Sequence, residues 1–410
     1  MKPRAGASMC TLAVTSLLLG ACSSVASKPA TMHATTATAS PATTAAATPT
    51  TTVAAAASAT PAPSLVSYGR WTDNNFNGGM PVIRGQAQSV TRLADGRLLL
   101  ASALTGPGGV TDAHVFLCSP SCLSWNSVPN MQTARAGFTA TRLPDGMVLV
   151  AGGYGPDMHR TPTAELYDPA LNSWSSTGSM VVGRVNFAAA TLADGRLLAV
   201  GGRIPSGPIT NAEIYDPARG RWTAVPNMST PRERPTATTL LDGRVLVTGG
   251  VVSDAGIYLN ATASTEIYDP RTDAWLASAS MRVARADHTA TLLASGKVLV
   301  AGNSGDQPDS TELYDPATNT WSAAARMPTE RRSHVAVSLA SGQVMLLGGL
   351  YGAAGFSGTA DLYDPLKDTW STAGDMGGLH GEVRASLLND GRVVVVGADW
   401  GIRTYDPNAT

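Results

Sequence analysis

The chain has 410 residues, enough for two average domains or one large repeat fold. Only 14% are charged, against about 25% in ordinary soluble proteins, while 43% are apolar and 42 are glycine. A formal net charge of −1 excludes a strongly basic nucleic-acid binder, and no run of 18 or more apolar residues offers an ordinary transmembrane helix.

The N-terminus reads as an export signal. Lys2 and Arg4 form its positive end, and Thr11 to Leu19 form a short apolar stretch, too short to span as an anchor. The stretch ends in Leu19-Gly20-Ala21-Cys22, followed by Ser23. This run resembles the lipobox of bacterial lipoproteins. The resemblance implies removal of residues 1–21, lipid on Cys22 (palmitate among its chains), and an exported protein anchored to the cell envelope. Ser23 resembles the signal for the outer membrane in a cell with two membranes. Without residues 1–21 the net charge becomes −3, since Lys2 and Arg4 leave with them.

Residues 22–64 are almost wholly Ala, Thr, Ser and Pro beyond the lipidated cysteine. Such a stretch buries too little apolar surface to offset its ordering entropy, so it is expected to be a disordered tether. About 40 residues of flexible coil span roughly 35 Å.

From Leu65 to the end, at residues 65–410, the chain repeats. Tyr-Asp-Pro begins at Tyr167, Tyr215, Tyr268, Tyr314 and Tyr363, each seven residues before a Trp: Trp174, Trp222, Trp275, Trp321 and Trp370. Trp125 continues the series upstream, and Tyr405-Asp406-Pro407 ends it without a Trp. An Asp-Gly or Ser-Gly turn recurs seven times, from Asp95-Gly96 to Asp390-Gly391. Each unit reads as four strands. Strand a precedes the Asp-Gly turn, which supplies the positive φ of a tight hairpin. Strand b is the continuous apolar run after it. Strand c carries Glu-Leu-Tyr or Glu-Ile-Tyr, alternating as a half-buried strand does. Strand d carries the Trp. Such sheets cover one another when set radially, as in a β-propeller. Seven hairpins with six later Trp anchors leave one outer strand missing. The N-terminal segment from Leu65 to Thr72, with Trp71, supplies it. The expectation is an all-β, seven-bladed propeller whose N-terminal strand pairs with the C-terminal blade.

Gly-Gly after strand b, Tyr followed by Trp, and Arg opening strand a resemble the kelch family. Blade 1 departs from the pattern, with Phe116 read in the Tyr position, His114 in the acid position and no Gly-Gly directly after strand b. Blade 7 departs with Gly397-Ala398.

Antiparallel order puts the short, uniform a–b and c–d turns on one face and the variable b–c and d–a loops on the other. Variable loops on a rigid scaffold are where binding usually sits. Tyr154, His159, Tyr351 and Trp400 are candidate ligand contacts in the b–c loops. Arg135, Arg184, Arg232, Arg285 and Arg331 recur at one position and are expected to ring the mouth of the central channel. The same five blades carry an acid two residues before the Tyr: Glu165, Glu213, Glu266, Glu312 and Asp361. Blade 7 lacks both, with His380 and Arg403 in those slots. In blade 1, Arg84 falls one residue out of register. This joint variation implies paired ions that brace the blades. Arg234 and Arg332 stand outside the pairing and are the better ligand candidates.

Other chemistry finds little support in the sequence. Kelch propellers include copper radical oxidases similar to galactose oxidase, whose site needs two Tyr, two His and a Cys joined to one Tyr. No Tyr-His pair exists here, and Cys118 and Cys122 are the only cysteines after Cys22. In an exported protein, Cys118 and Cys122 are expected to form a disulfide stapling a longer c–d turn, over 116–125, in blade 1. His288 and His334 share a strand-a slot with Phe138, Phe187 and Pro235, which favours packing over metal ligation. Asp73-x-Asn75-x-Asn77-Gly78 begins like a calcium loop, but Arg84 stands where the bidentate Glu belongs. No metal, cofactor or catalytic residue is implied. The reading is a lipid-anchored envelope protein that binds a protein or glycan partner on its b–c/d–a face, touches membrane only through its lipid and binds no nucleic acid. The alternative is a carbohydrate-active enzyme, similar to kelch-type sugar mutarotases or, with less support, to the copper oxidases.

Overall fold

The computed structural model describes residues 69–73, 86–106, 109–122, 124–253, 260–303, 305–351, 355–379, 382–397 and 401–409. The chain divides into Met1–Pro61 and Ala62–Thr410. The expected signal, Cys22 and nearly all of the expected tether belong to the first part, which lies outside the described residues.

Every described element is a β-strand, and seven antiparallel sheets account for the repeat, six of four strands and that of blade 1 of five, its extra strand Gly109–Asp112 pairing with strand b. Blade 2 shows the pattern: strand a Thr139–Arg142, strand b Val148–Ala151, strand c Ala164–Asp168 and strand d Ser173–Thr177. Its b strand is buried throughout, because both of its faces meet neighbouring blades. The same is true of Val245–Thr248 and Val393–Val396. The core is accordingly a series of clusters between adjacent sheets. Each a strand packs against the a strand of the next blade, and that of blade 7 packs against that of blade 1, so the ring is closed.

Closure occurs as the terminal motifs predict. Strand Arg70–Asp73 pairs with Ile402–Asp406, the c strand of blade 7, with Trp71 opposite Tyr405. Trp71 stacks on Tyr405 at 5.1 Å between ring centres, as Trp174 does on Tyr167. Its indole N–H donates to Ala373 O of blade 6 at 2.6 Å. The equivalent Trp174, Trp275, Trp321 and Trp370 donate to the preceding blade in the same way. Trp71 is therefore the seventh anchor.

Blade 1 corrects three expectations. Cys118, not Phe116, lies opposite Trp125, so it holds the Tyr slot; Phe116 holds the acid slot and His114 lies outside it. The c–d turn of blade 1 then has the same length as the others. In blades 2, 4, 5 and 6 the Tyr hydroxyl donates to an Asn or Asp five residues on: Asn172, Asp273, Asn319 and Asp368. Blade 1 closes the same turn with the Cys118–Cys122 disulfide, whose Cα atoms are 5.0 Å apart. The one-residue offset of Arg84 stands, and it has a local cause. Ala87 pairs with Ser102 and Ser89 with Ala101, so Gln88 is an extra, bulged residue between them. Arg84 itself lies outside the described residues.

The five repeated arginines do not ring the channel mouth. Their side chains are completely buried within the blades. The expected ion pairs are present: Arg135–Glu165 at 2.8 Å, Arg184–Glu213, Arg232–Glu266 at 3.1 Å, Arg285–Glu312 at 2.9 Å and Arg331–Asp361 at 2.5 Å. Each guanidinium also donates to two carbonyls that bracket the b–c loop, such as Gly152 O and Thr163 O for Arg135. In blade 2 the carboxylate further accepts the N–H groups of Gln132 and Thr133 in the d–a connection. One buried pair thus ties strand c, the b–c loop and the d–a connection together. The arginine's own carbonyl accepts from the preceding blade: Gly153 N–H reaches Arg184 O at 3.0 Å, and Gly202 N–H reaches Arg232 O at 2.7 Å. The first glycine of the Gly-Gly pairs at Gly152, Gly201 and Gly249 has no room for a side chain there. A Cβ on Gly201, whose φ is +65°, would lie 2.4 Å from Arg232 O. In blade 7 the acid slot holds Arg403, which donates to Gly377 O in the d–a connection. The partner's polarity is reversed and the tie is kept.

Two outcomes follow. Arg285→Ala leaves Glu312 buried without its cation and is expected to cost about 3–5 kcal/mol in urea unfolding; a loss below 1 kcal/mol would show that the pair does not brace the blade. Trp71→Ala is expected to weaken the seam between blades 6, 7 and 1 first. Amide exchange should then rise in Ile402–Asp406 before it rises in blades 3–5.

Candidate functional site

The a–b and c–d turns are engaged in architecture. Arg97 of the blade 1 a–b turn pairs with Asp95 at 2.6 Å and donates to Pro169 O of blade 2. Arg392 does the same across the seam, reaching Ser121 O of blade 1. The opposite face differs from blade to blade. Short hairpins stand out from the b–c loops of blade 3 (Arg203–Ile204 with Gly207–Pro208) and blade 6 (Leu350–Tyr351 with Gly355–Phe356).

The site grows from one backbone position. Two residues after each buried arginine the chain turns through positive φ, at Gly137, Asn186, Arg234, Asp287 and Ser333. This kink lets the d–a connection enter strand a on the channel side. The slot demands a conformation and not a side-chain type, so its residues are free to differ. In blades 4 and 5 they form an ion pair: Arg234 approaches both oxygens of Asp287, at 3.2 and 3.3 Å. The Asp287 side chain is 8% exposed. Burial pushes its pKa above the usual carboxylate range, Arg234 and Arg332 pull it back, and Glu382 of blade 7 adds to the rise. Arg203 pairs with Glu233 at 3.0 Å, Asn186 donates to Glu233 at 2.7 Å, and Arg234 lies 3.9 Å from Glu233. Arg384 pairs with Glu382 at 3.3 Å. Groups from blades 3 to 7 therefore meet around Asp287, and no other blade pair repeats this arrangement among the described residues.

The structure brings two of the sequence candidates together. Arg234 and Arg332, which stand outside the repeated Arg–acid pairing, both hold the Asp287 pKa down. Tyr154 and His159 lie apart, in blade 2. Arg160 sits over the Tyr154 ring, 5.3 Å from its centre, and His159 faces Asp157 at 3.0 Å with its side chain 83% exposed. The backbone of Tyr351 lies in the blade 6 hairpin. Trp400 lies outside the described residues, as does the calcium-like run beyond Asp73. Asp287, Glu233, Asn186 and Arg203 were missed from the sequence. The signal was positional: all but Arg203 lie one or two residues after a repeated arginine.

His288 and His334 are packed residues. His288 Nε2 meets the Thr248 hydroxyl at 2.8 Å, and His334 Nε2 meets the Thr289 hydroxyl at 2.9 Å. The His288 ring stands against Gly249 as the Phe187 ring stands against Gly152. Among the described residues no three His, Cys, Asp or Glu side chains converge as a metal site would require. With Cys118 and Cys122 joined to each other, neither is available for a Cys–Tyr link. The described residues do not fit a copper radical centre.

The family model described as the Kelch motif matches residues 184–229, 234–282 and 331–377. No curated protein sequence matches the chain. Among solved structures the chain is similar to a fungal alcohol oxidase of the AA5 family in complex with copper. The TM-score is 0.65 and the identity 16%, over 82% of this chain and 76% of that one. At that identity the likeness is one of fold.

Acid should act through the packed histidines. Burial, with Arg285 and Arg232 nearby, holds the His288 pKa down at about 3, and burial beside Arg331 holds His334 well below its ordinary 6.5. The unfolded chain takes up both protons below about pH 6.5, and the fold does not until far lower pH. Stability present above pH 6.5 is therefore lost as pH falls through that window, at up to about 1.4 kcal/mol per pH unit for each histidine. Replacing both by Phe, the residue of the same slot in blades 2 and 3, is expected to flatten the fall of Tm between pH 6.5 and 4.5. An unchanged acid slope would show that these side chains do not control it.

Proposed function

We propose that this chain, a kelch-repeat β-propeller, is a binding module of the cell envelope that receives a protein or glycan partner on its b–c/d–a face. Kelch propellers commonly serve as interaction scaffolds, and one observation carries the reading here. The turns of one face are spent on bonds between blades, whereas the other face holds a charged cluster, around Asp287, that the repeat does not require. Charged and hydrogen-bonding groups placed on a rigid rim suit recognition of a polar partner. The chain also enters the ring at Gly69–Arg70, which is paired with Asp406 at the c–d end. In this reading Cys22 carries the lipid that holds the protein at the envelope, in the outer membrane of a two-membraned cell, and the membrane is met only through that lipid.

A carbohydrate-active enzyme is the second reading. It draws on Asp287, a carboxyl raised above its usual range in a channel mouth, as acid–base chemistry on a sugar requires.

The test is capture from envelope extract by the immobilised protein, compared with an Arg234/Arg332/Trp400 triple-alanine variant. A partner retained only by the unsubstituted protein supports the module and locates its face. Equal retention, or none, contradicts it and turns attention to sugar turnover. In parallel, Cys22→Ser is expected to abolish metabolic labelling with palmitate and release the protein to the soluble fraction. Continued labelling would contradict the anchor.

A further inference from the structure

The junction between blades 3 and 4 lacks bonds that its neighbours make. In blades 2, 4 and 5 the residue four after the strand d Trp donates its N–H to the c–d turn of the next blade. Gly178 reaches Gly220 O at 2.9 Å, Ala279 reaches Asn319 Oδ1 at 3.0 Å and Ala325 reaches Asp368 Oδ1 at 2.9 Å. Blade 3 has Pro226 there, which carries no N–H. One residue earlier, the hydroxyls of Thr177 in blade 2 and Ser278 in blade 4 bond the Tyr hydroxyl of the next blade, whereas blade 3 has Val225. Blade 1 shares the Val-Pro pair, at Val128-Pro129, but its Arg97 crosses to Pro169 O of blade 2 at 3.0 Å. The equivalent Arg196 of blade 3 bonds only its own Asp194 among the described residues.

A cleft of about 320 Å³ opens at this junction. Its floor is apolar, since Ile214, Val225 and Tyr268 pack in the cluster between blades 3 and 4. Asp216 lies opposite Arg221 in the c–d ladder of blade 3, and Ile214 lies opposite Thr223, so these four share one face of the sheet. Two of the three arginines that line the cleft are matched, Arg219 by Asp216 and Arg196 by Asp194. The Arg221 side chain is exposed and makes no hydrogen bond or ion pair among the described residues. From the blade 4 side, Asp273 accepts the Tyr268 hydroxyl at 2.6 Å and meets no cation among the described residues. Arginine is not what the repeat asks for in this slot, which holds Ser173 in blade 2, Ala274 in blade 4 and Thr320 in blade 5.

We propose that this cleft is a ligand site for a hydroxylated carboxylic acid the size of one sugar unit. The carboxylate takes the guanidinium of Arg221, whose planar fork suits two parallel hydrogen bonds. A ligand hydroxyl donates to Asp273, and the carbon skeleton lies on Ile214 and Val225. The volume is that of a small-molecule site, and the balance of an apolar floor with a few placed polar groups is what such sites use. The site goes beyond the binding face described above, because no b–c loop residue lines it.

The experiment is a ligand-observed NMR titration of the full chain at pH 7, with glucuronate as probe and glucose as its neutral counterpart. Glucuronate is expected to bind, and glucose to bind about tenfold more weakly or not at all. Arg221→Ser, which installs the residue of the same slot in blade 2, should weaken glucuronate about tenfold and leave Tm unchanged, since the side chain bonds nothing in the fold. Asp273→Asn keeps the backbone, whose φ of +51° Asn319 also adopts, and should weaken glucuronate about threefold. Pro226→Ala restores the N–H that Ala279 and Ala325 donate in blades 4 and 5. Its bond to Asp273 draws the two blades together, so glucuronate affinity should fall while Tm holds or rises. Equal binding of glucose, an absence of glucuronate binding at millimolar concentration, or unchanged affinity in Arg221→Ser or Pro226→Ala would overturn the proposal. Partner capture by the b–c/d–a face is independent of each of these outcomes.

Discussion

A guanidinium group taken out of water needs a negative partner and acceptors for its donors. Among the described residues five are fully buried, one in each of blades 2 to 6, and the rest of the scaffold is arranged around that demand. The acid on strand c supplies the charge, and two b–c carbonyls accept from one terminal nitrogen, while the Nε of Arg135, Arg232, Arg285 and Arg331 is left without an acceptor among the described residues. The connection carrying the arginine is thereby fixed, which positions its carbonyl for the Gly-Gly of the preceding blade. The glycines follow from that approach, since a Cβ would collide with the carbonyl. The kink two residues later follows from the same fixed connection. The residues at the channel mouth are placed by a buried ion pair that they do not touch.

This hierarchy separates structure from function on the two faces. Where a residue type recurs in register, it serves the fold: the Asp-Gly-Arg turns, the Tyr–Trp stacks and the buried arginines. Where the backbone recurs and the side chain does not, the position is available for something else. Arg234 and Asp287 occupy such positions. Their pair spans blades 4 and 5 at the surface of the channel, and nothing in the repeat requires it.

Much of the fold was legible because its determinants are periodic. The seven-residue step from Tyr to Trp marked strands c and d, and counting hairpins against Trp anchors identified Trp71 as the closing residue. Joint variation of Arg and acid between blades revealed their pairing without any structure. The same counting was misapplied in blade 1. Seven residues before Trp125 lies Cys118, and the aromatic Phe116 two residues earlier masks that register in the sequence. The burial of the arginines was also misjudged, because their pairing shows in the sequence and their depth does not. The channel-mouth cluster stayed hidden for a physical reason. Its members come from five blades, and only Asn186, Arg234 and Asp287 share a feature, the positive-φ backbone position that Gly137 and Ser333 hold in blades 2 and 6.

The central claim is that the repeated ion pairs hold the scaffold while the channel-mouth pair does not. Double-mutant cycles on Arg184/Glu213 and on Arg234/Asp287, read by equilibrium urea unfolding, test it directly. The account predicts a coupling of about 3 kcal/mol or more for the buried pair, and below about 1 kcal/mol for the channel-mouth pair. Comparable couplings in the two cycles would contradict it, because the cluster around Asp287 would then be one more brace of the propeller.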